Sequence, residues 1–255
     1  MAINFLRYIK LQLQNGAILD SDQHNIEFEV NRSTTSNGNI ATLDIKYINN
    51  ATFNLFKQDE ELQIIAGYKK GVIGLLFSGI IDKIEKKIDS VTIICTEDNE
   101  KIHNTVVNES FTPNTKVSTA VKQIVEKNGF KVGLIEIPND YQYYRGKYFT
   151  ENVKDSLDKL ASEVGCQFYI KKGLVYFHPP KRDFGTNIIN ANNGLLEFNK
   201  KEDGYIMITK LNHLLDENTK VQVEYNKNEK VIGTIQSVSH YSNDFVTECE
   251  VDIDE

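Results

Sequence analysis

Alternation of apolar and polar residues is the feature that most constrains how this chain can fold. Every second side chain is apolar in the stretch IEFEV, residues 26–30, and again in TLDIKYI, where the apolar set is Leu43, Ile45 and Tyr47. Successive side chains of a strand point to opposite faces, so the pattern predicts strands with one buried face and one solvated face. Six such stretches lie between residue 4 and about residue 100. Their spacing predicts a closed or nearly closed antiparallel barrel.

The middle of the chain changes from alternation to helical spacing at Pro113. The first predicted helix has Asn114 or Thr115 as its N-cap and stops at Gly129, and a second predicted helix stops at Gly165. Their buried faces are predicted to be Val117, Ala120, Val121, Ile124 and Val125 in the first helix, and Val153, Leu157, Leu160, Ala161 and Val164 in the second.

Turn signals and a return of the strand pattern near residue 181 divide the chain. A tight hairpin is predicted at Lys172 and Gly173, and further turns at Asn37–Gly38 and at 226–228. The fold class predicted is α+β and mostly β, with two antiparallel β-barrel-like domains flanking a small α+β domain. The predicted domains are an N-terminal β-barrel at 1–104, an α+β insert at 105–180 and a C-terminal β-barrel-like domain at 181–255.

Four glycines lie among apolar residues in IIAGYKKGVIGLLFSGIID, residues 64–82. The stretch lacks the Gly-Lys-Ser/Thr end of a phosphate-binding loop, and it is too short and too interrupted by lysines to span a membrane. It predicts a hairpin in which Gly67 and Gly79 mark strand ends or close backbone approaches. Val72 and Ile73 then lie at its tip. Because a monomer rarely leaves both in water, they are a candidate assembly contact; the alternative is that they fold back onto the barrel.

Residues that could carry catalysis are scattered along the sequence. Cys95, Cys166 and Cys249 lie far apart without a CxxC pair, and the five histidines show no metal-ligand spacing. No nucleophile elbow of the GxSxG type is present. We therefore predict no catalytic residue, no metal site and no cofactor. Metal ligation by residues distant in sequence and a glycosidase-like carboxylate pair stay open, since among 36 acidic residues some pair will fall at a suitable distance.

One aromatic segment, YQYYRGKYF, has the composition of a stacking surface. Its rings are Tyr141, Tyr143, Tyr144, Tyr148 and Phe149, beside Arg145 and Lys147. Such a segment could stack sugars or bases, or it could pack some rings into the core of the α+β domain and others against a partner.

The charge balance limits the partners. A formal net charge of -7 and a pI near 5.4 argue against stable nucleic-acid binding, which depends on clustered Lys and Arg. The first sixteen residues lack the apolar core of a signal peptide, and no apolar run approaches the length of a membrane helix. We expect no membrane anchor and a protein that folds in the cytoplasm.

The order of several short phrases resembles one protein family. The stretches at Tyr47–Asn49, Ala66–Tyr68, Leu76–Ile80 and Thr92–Asp98 are similar to strand ends and strands in the N-terminal barrel of the tail hub (baseplate hub) proteins of contractile-tailed phages and phage-tail-like bacteriocins. ASEVGCQFYIKKGLVYFHPP resembles the middle region of that family. NGLLEFNKKEDGYIMITKLNHLLDENTKVQVEY resembles its C-terminal region, with departures at 213–214 and 217–218 where the family commonly has a turn containing Pro or Gly.

The resemblance implies a non-enzymatic structural protein of a tail or baseplate, in a virion or a tail-like particle. It implies a homotrimer whose two barrels per subunit form a pseudo-sixfold ring, adapting a hexameric tail tube to a trimeric central spike. The implied partners are further copies of the chain, the spike, the tube or tube initiator, and baseplate wedge or tape-measure proteins, with DNA passing through the lumen without stable binding. Two alternatives remain at this point: a tail-associated peptidoglycan hydrolase and a host-glycan-binding module.

Overall fold

A computed structural model of the chain describes residues 6–33, 39–97, 100–179, 185–226 and 229–253. The chain divides into two compact units. The sheet unit consists of Met1–Thr96 together with Asp183–Glu255, and the helical unit consists of Glu97–Arg182.

The strands and helices are numbered along the chain. The first part of the sheet unit contains β1 (Arg7–Leu13), β2 (Ile18–Asp20), β3 (Asn25–Ser33), β4 (Ile40–Lys46), α1 (Asn50–Phe53), β5 (Glu61–Tyr68), β6 (Ile73–Lys86) and β7 (Ser90–Thr96). The helical unit contains α2 (Glu100–Asn104), β8 (Glu109–Phe111), α3 (Val117–Lys127), β9 (Lys131–Ile135), β10 (Lys147–Phe149), α4 (Val153–Val164), β11 (Gln167–Lys171) and β12 (Leu174–His178). The second part of the sheet unit contains β13 (Thr186–Asn190), β14 (Leu195–Lys201), β15 (Gly204–Lys210), β16 (Lys220–Asn226), β17 (Glu229–Tyr241) and β18 (Val246–Ile253).

All thirteen strands described in the sheet unit belong to one sheet. Its hydrogen-bonded order is β14-β15-β18-β17-β3-β4-β7-β6-β5-β1-β2, while β16 pairs with β17 and β13 runs parallel to β16. The long strand β17 joins the two parts of the unit, because its residues 237–241 pair antiparallel with residues 29–33 of β3. Among the described strands, these pairings trace an open path rather than a closed ring.

The prediction of a mostly β chain built on antiparallel pairing is confirmed. Alternation along β3 and β4 produces the expected burial, with Phe28, Leu43 and Ile45 inside. Tyr47 departs from the alternation: it follows the last residue of β4, has φ +58° and is 80% exposed. The strand ends before Tyr47, so the two-residue period no longer decides which face its side chain takes.

Two apolar cores form within the described part of the sheet unit. One is built mainly from β1 to β7 and includes Leu11, Leu43 and Phe77. The other is built from β13 to β18 and the loop before β16, and it includes Met207 and Val238. One continuous sheet therefore covers two separate cores.

A buried ion pair ties three segments of the sheet unit together. Arg32 on β3 donates through Nη1 to both carboxylate oxygens of Asp216, at 2.7 and 2.8 Å, and Asp216 lies in the connection between β15 and β16. Its Nη2 donates to the carbonyl oxygen of Leu76 on β6 at 2.7 Å. The side chain of Arg32 is fully buried. This guanidinium links segments up to 184 residues apart in sequence.

The helical unit packs α3 and α4 over the three strands β11-β12-β9. The predicted apolar faces of both helices are confirmed as core, with Val164 partly buried. The predicted N-cap of α3 is wrong: the helix begins after Lys116, whose side chain makes no capping bond. Instead Asp140, from the loop after β9, accepts from the backbone N–H of Ser118 at 2.9 Å and from its hydroxyl at 2.7 Å. The orphan N–H of the helix start is satisfied from outside the helix.

The hairpin predicted at Lys172 and Gly173 is confirmed, since both residues have positive φ and join β11 to β12. The helix stops at Gly129 and Gly165 are confirmed as well, with φ +78° and +65°. The predicted turn at Asn37–Gly38 and residues 227–228 of the turn predicted at 226–228 lie outside the described residues, while Asn226 is the last residue of β16.

Candidate assembly surface

The hairpin of β5 and β6 forms the candidate surface that the glycine-rich stretch predicted. The two strands pair antiparallel from Glu61 opposite Ile80 to Gly67 opposite Ile73. The tip is closed by two backbone bonds, from Tyr68 N–H to Val72 O at 3.2 Å and from Gly71 N–H to Tyr68 O at 2.8 Å. The glycine-rich stretch is therefore a tight β-hairpin.

Close backbone approach explains two of the glycines in this hairpin. A Cβ on Gly67 would lie 2.1 Å from the carbonyl oxygen of Val72 across the tip. A Cβ on Gly79 would lie 2.4 Å from the carbonyl oxygen of Thr96 on β7. Both distances are far below contact, and both neighbouring atoms belong to backbone. The predicted role of Gly67 and Gly79 as sites of close approach is confirmed.

The tip end of the hairpin is anchored by the turn between β17 and β18. The rings of Tyr68 and Phe245 meet edge to face at 5.1 Å, and the Tyr68 hydroxyl donates to the Phe245 carbonyl oxygen at 3.3 Å. Arg7, opposite Tyr68 on β1, donates to the carbonyl oxygens of Asn243 and Asp244 at 2.6 and 2.9 Å. Burial raises the pKa of the Tyr68 hydroxyl, so it stays a neutral donor. These contacts hold the strands below the tip in place.

The connection between β15 and β16 adds a second support. Gly74, just beyond the tip, faces the imidazole ring of His213, and a Cβ on Gly74 would lie 2.1 Å from that ring. His213 is one of the positions where the sequence departs from the family phrase. At this position the imidazole ring of His213 lies against the hairpin, and the absence of a side chain on Gly74 leaves room for it.

The tip itself carries the two predicted residues and exposes them. Val72 is 66% exposed and Ile73 is exposed as well, so within the chain they do not fold back onto the core. Leu6 lies beside the tip, because its carbonyl oxygen accepts from the N–H of Lys69 at 2.8 Å, and its side chain is also exposed. We call Leu6, Val72 and Ile73 the tip patch. Its role as an assembly contact stays a prediction.

The opposite end of β6 exposes a second apolar group that the sequence reasoning missed. Ile88, in the turn between β6 and β7, is fully exposed, and the exposed Tyr47 donates its backbone N–H to the Asp89 carbonyl oxygen at 2.7 Å. The sequence signal that could have revealed this group is a single isoleucine, Ile88, between Lys87 and Asp89 at the end of a strand. A strand of fourteen residues spans about 45 Å, so the two apolar ends are well separated.

The pKa values of all three cysteine thiols are raised. Burial raises the pKa of the Cys95 thiol to about 12, and burial also raises the pKa of Cys249 and of Cys166. In the described ranges, no group of three or more His, Cys, Asp or Glu side chains is placed to hold a metal ion. No described helix is both long enough and apolar enough to cross a membrane.

Solved structures with this fold include tail proteins. The 43 kDa tail protein of prophage MuSo2 from Shewanella oneidensis is 13% identical, with a TM-score of 0.64 over 97% of this chain and 98% of that chain. The tail protein from Neisseria meningitidis is 10% identical, with a TM-score of 0.63 over 98% and 97%. An E. coli component of the type VI secretion system, described as structurally similar to the T4 tail proteins gp27 and gp5, is 12% identical, with a TM-score of 0.58 over 96% of this chain and 77% of that chain.

These likenesses extend over almost the whole chain and define the class of fold as that of phage tail proteins. No family model matches the sequence, and no curated protein matches it. The resemblance drawn from the sequence is confirmed at the level of the fold.

Proposed function

We propose that this protein is a structural hub of a phage tail or a phage-tail-like particle, located in the tail or baseplate. The observation that carries the proposal is the division of one continuous sheet over two separate cores, with the helical unit inserted between them in sequence. The full-length likeness to tail proteins supports it.

The division of the sheet unit into two parts suits a protein that connects a hexameric component to a trimeric one. Closed oligomers of one chain have rotational symmetry, and three copies of a chain with two β-modules present six modules in a ring. Such a ring can meet a hexameric tube on one side and a trimeric spike on the other. In this proposal each half of the sheet unit is one barrel-like module, corresponding to the domains predicted at 1–104 and 181–255, and the helical unit is the domain predicted at 105–180.

The proposed partners follow from the same arrangement. They are two further copies of the chain, the central spike, the tail tube or its initiator, and neighbouring wedge or tape-measure proteins. DNA would cross the ring without stable binding, which agrees with the net charge of -7. The proposed role is structural rather than enzymatic.

Co-purification with neighbouring tail proteins tests this function. The chain is expressed together with the tube and spike proteins of the same particle, and each is tagged in turn. We expect one complex that contains three copies of this chain, three spike chains and a ring of six tube chains. Recovery of the chain free of both proteins, at concentrations of about 10 µM where functional contacts persist, would contradict the proposal.

A further inference from the structure

The loop between β9 and β10 in the helical unit presents tyrosine rings to solvent around a shallow cavity. The cavity has a volume of about 400 Å³ and is lined by residues 141–147 and Glu163. Tyr144, which lines the cavity, is 96% exposed, and Tyr148 on β10 is mostly exposed as well. Exposed rings of this size leave large apolar faces in water, where they are available to a ligand.

The inner part of the loop is rigid because Glu163 of α4 holds it. The Tyr141 and Tyr143 hydroxyls donate to Glu163 Oε2 at 3.1 and 3.4 Å, and Lys147 pairs with Glu163 Oε1. The Lys147 ammonium also lies 4.9 Å from the Tyr143 ring centre. Burial, and then the charge of Glu163, raise the pKa of both tyrosine hydroxyls, which keeps them as donors to the carboxylate. The loop therefore has a fixed base.

The outer part of the loop has no such partners. Within the described part of the chain, the side chains of Tyr144, Arg145 and Tyr148 form no hydrogen bond or ion pair. The positive charge of Lys147 is balanced by the carboxylate of Glu163. The positive charge of the cavity that is not balanced is therefore that of Arg145. A guanidinium and an exposed ring, those of Arg145 and Tyr144, line the same cavity and fit a ligand that has an apolar face and a carboxylate.

We propose that this cavity binds an acidic saccharide. One sugar ring stacks on the face of Tyr144, because the C–H groups of a pyranose face carry positive partial charge and the aromatic face is negative. The carboxylate of the sugar forms a two-point pair with Arg145. Gln142, which also lines the cavity, supplies an amide for a ring hydroxyl. This binding site is independent of the proposed role as a hub.

Titration of the full chain, labelled with ¹⁵N, by the trimer of galacturonic acid tests the site. The neutral galactose trimer of the same linkage and a short oligothymidylate serve as comparison ligands. We expect saturable shifts of amides in the loop with a dissociation constant of about 1 mM, and binding of the neutral trimer about fivefold weaker.

Variants separate the contribution of the Tyr144 ring from that of the Arg145 charge. We expect Tyr144→Ala to weaken binding of the acidic trimer about fivefold, and Arg145→Gln to remove the preference for the acidic over the neutral trimer. Tyr47→Ala is the matched control, since Tyr47 is 80% exposed in the sheet unit, and it should leave binding unchanged.

Four results would overturn the proposal. They are the absence of saturable shifts up to about 20 mM of the acidic trimer, equal loss in the Tyr47→Ala control, stronger binding of the oligothymidylate, and a change of oligomeric mass in Tyr144→Ala. A change of oligomeric mass would show that the tyrosine rings form a contact between protein chains rather than a saccharide site.

Discussion

Replacement of Asp216 by alanine should lower the free energy of unfolding of the sheet unit by about 3–5 kcal/mol. The reason is the guanidinium of Arg32, which would stay fully buried on β3 after losing its carboxylate partner. A buried charge without its partner pays a large desolvation cost. The bond from Nη2 to the Leu76 carbonyl oxygen has a neutral acceptor, so it cannot replace the two charge-assisted bonds to Asp216.

Amide hydrogen exchange measures this loss where it occurs. Protection of β3 and β17 should fall, while protection of α3 and α4 in the helical unit serves as an internal reference and should not change. Asp158→Ala is a matched control, because Asp158 pairs with Lys154 on the surface of α4 and exposed pairs contribute little.

A double variant separates the loss of the pair from the burial of a lone charge. Arg32→Met with Asp216→Leu removes both charges and keeps apolar volume, so its loss of stability should be smaller than that of Asp216→Ala alone. A loss below about 1 kcal/mol in Asp216→Ala would contradict the role of this pair in joining the two parts of the sheet unit.

Placing carboxylates in the tip patch should strongly weaken assembly. In Val72→Asp with Ile73→Asp, two apolar side chains that we propose to be buried between chains become charged, and burying each charge costs far more than the contact contributes. We expect subunit association and docking to the tail tube to weaken at least about hundredfold. Because both side chains are exposed within the chain, the fold should not change.

Analytical ultracentrifugation and tube co-sedimentation measure the effect. Val106→Asp is the matched control: Val106 is 64% exposed, close to the 66% of Val72, and lies in the helical unit. The control should assemble normally. Intact trimerisation and intact tube docking in the double variant would show that the tip patch is not an assembly contact.

Local periodicity accounts for what the sequence could predict. The faces of α3 and α4 depend on apolar residues three and four positions apart, and the hairpin at Lys172 and Gly173 depends on adjacent residues, so a single sequence contains both signals. Two residues of the tip patch, Val72 and Ile73, were found for the same reason, because they follow directly on a turn signal, whereas Leu6 was not predicted.

Contacts between distant segments account for what was missed. Pairing of β17 with β3 joins residues about 200 positions apart, and the Arg32–Asp216 pair spans 184 positions. Nothing in the residues near either partner marks such a contact. The cap of α3 is similar, because Asp140 reaches Ser118 from a separate loop and displaces the local candidates Asn114 and Thr115. Long-range geometry of this kind depends on the complete fold.

The oligomeric mass of the purified chain, measured by light scattering with and without its spike protein, tests the central claim most directly. The proposed hub predicts that three chains of 29.1 kDa contribute about 87 kDa to the complex, with the mass of the spike chains added to it when the spike is present. A mass of one or two chains under both conditions would contradict it.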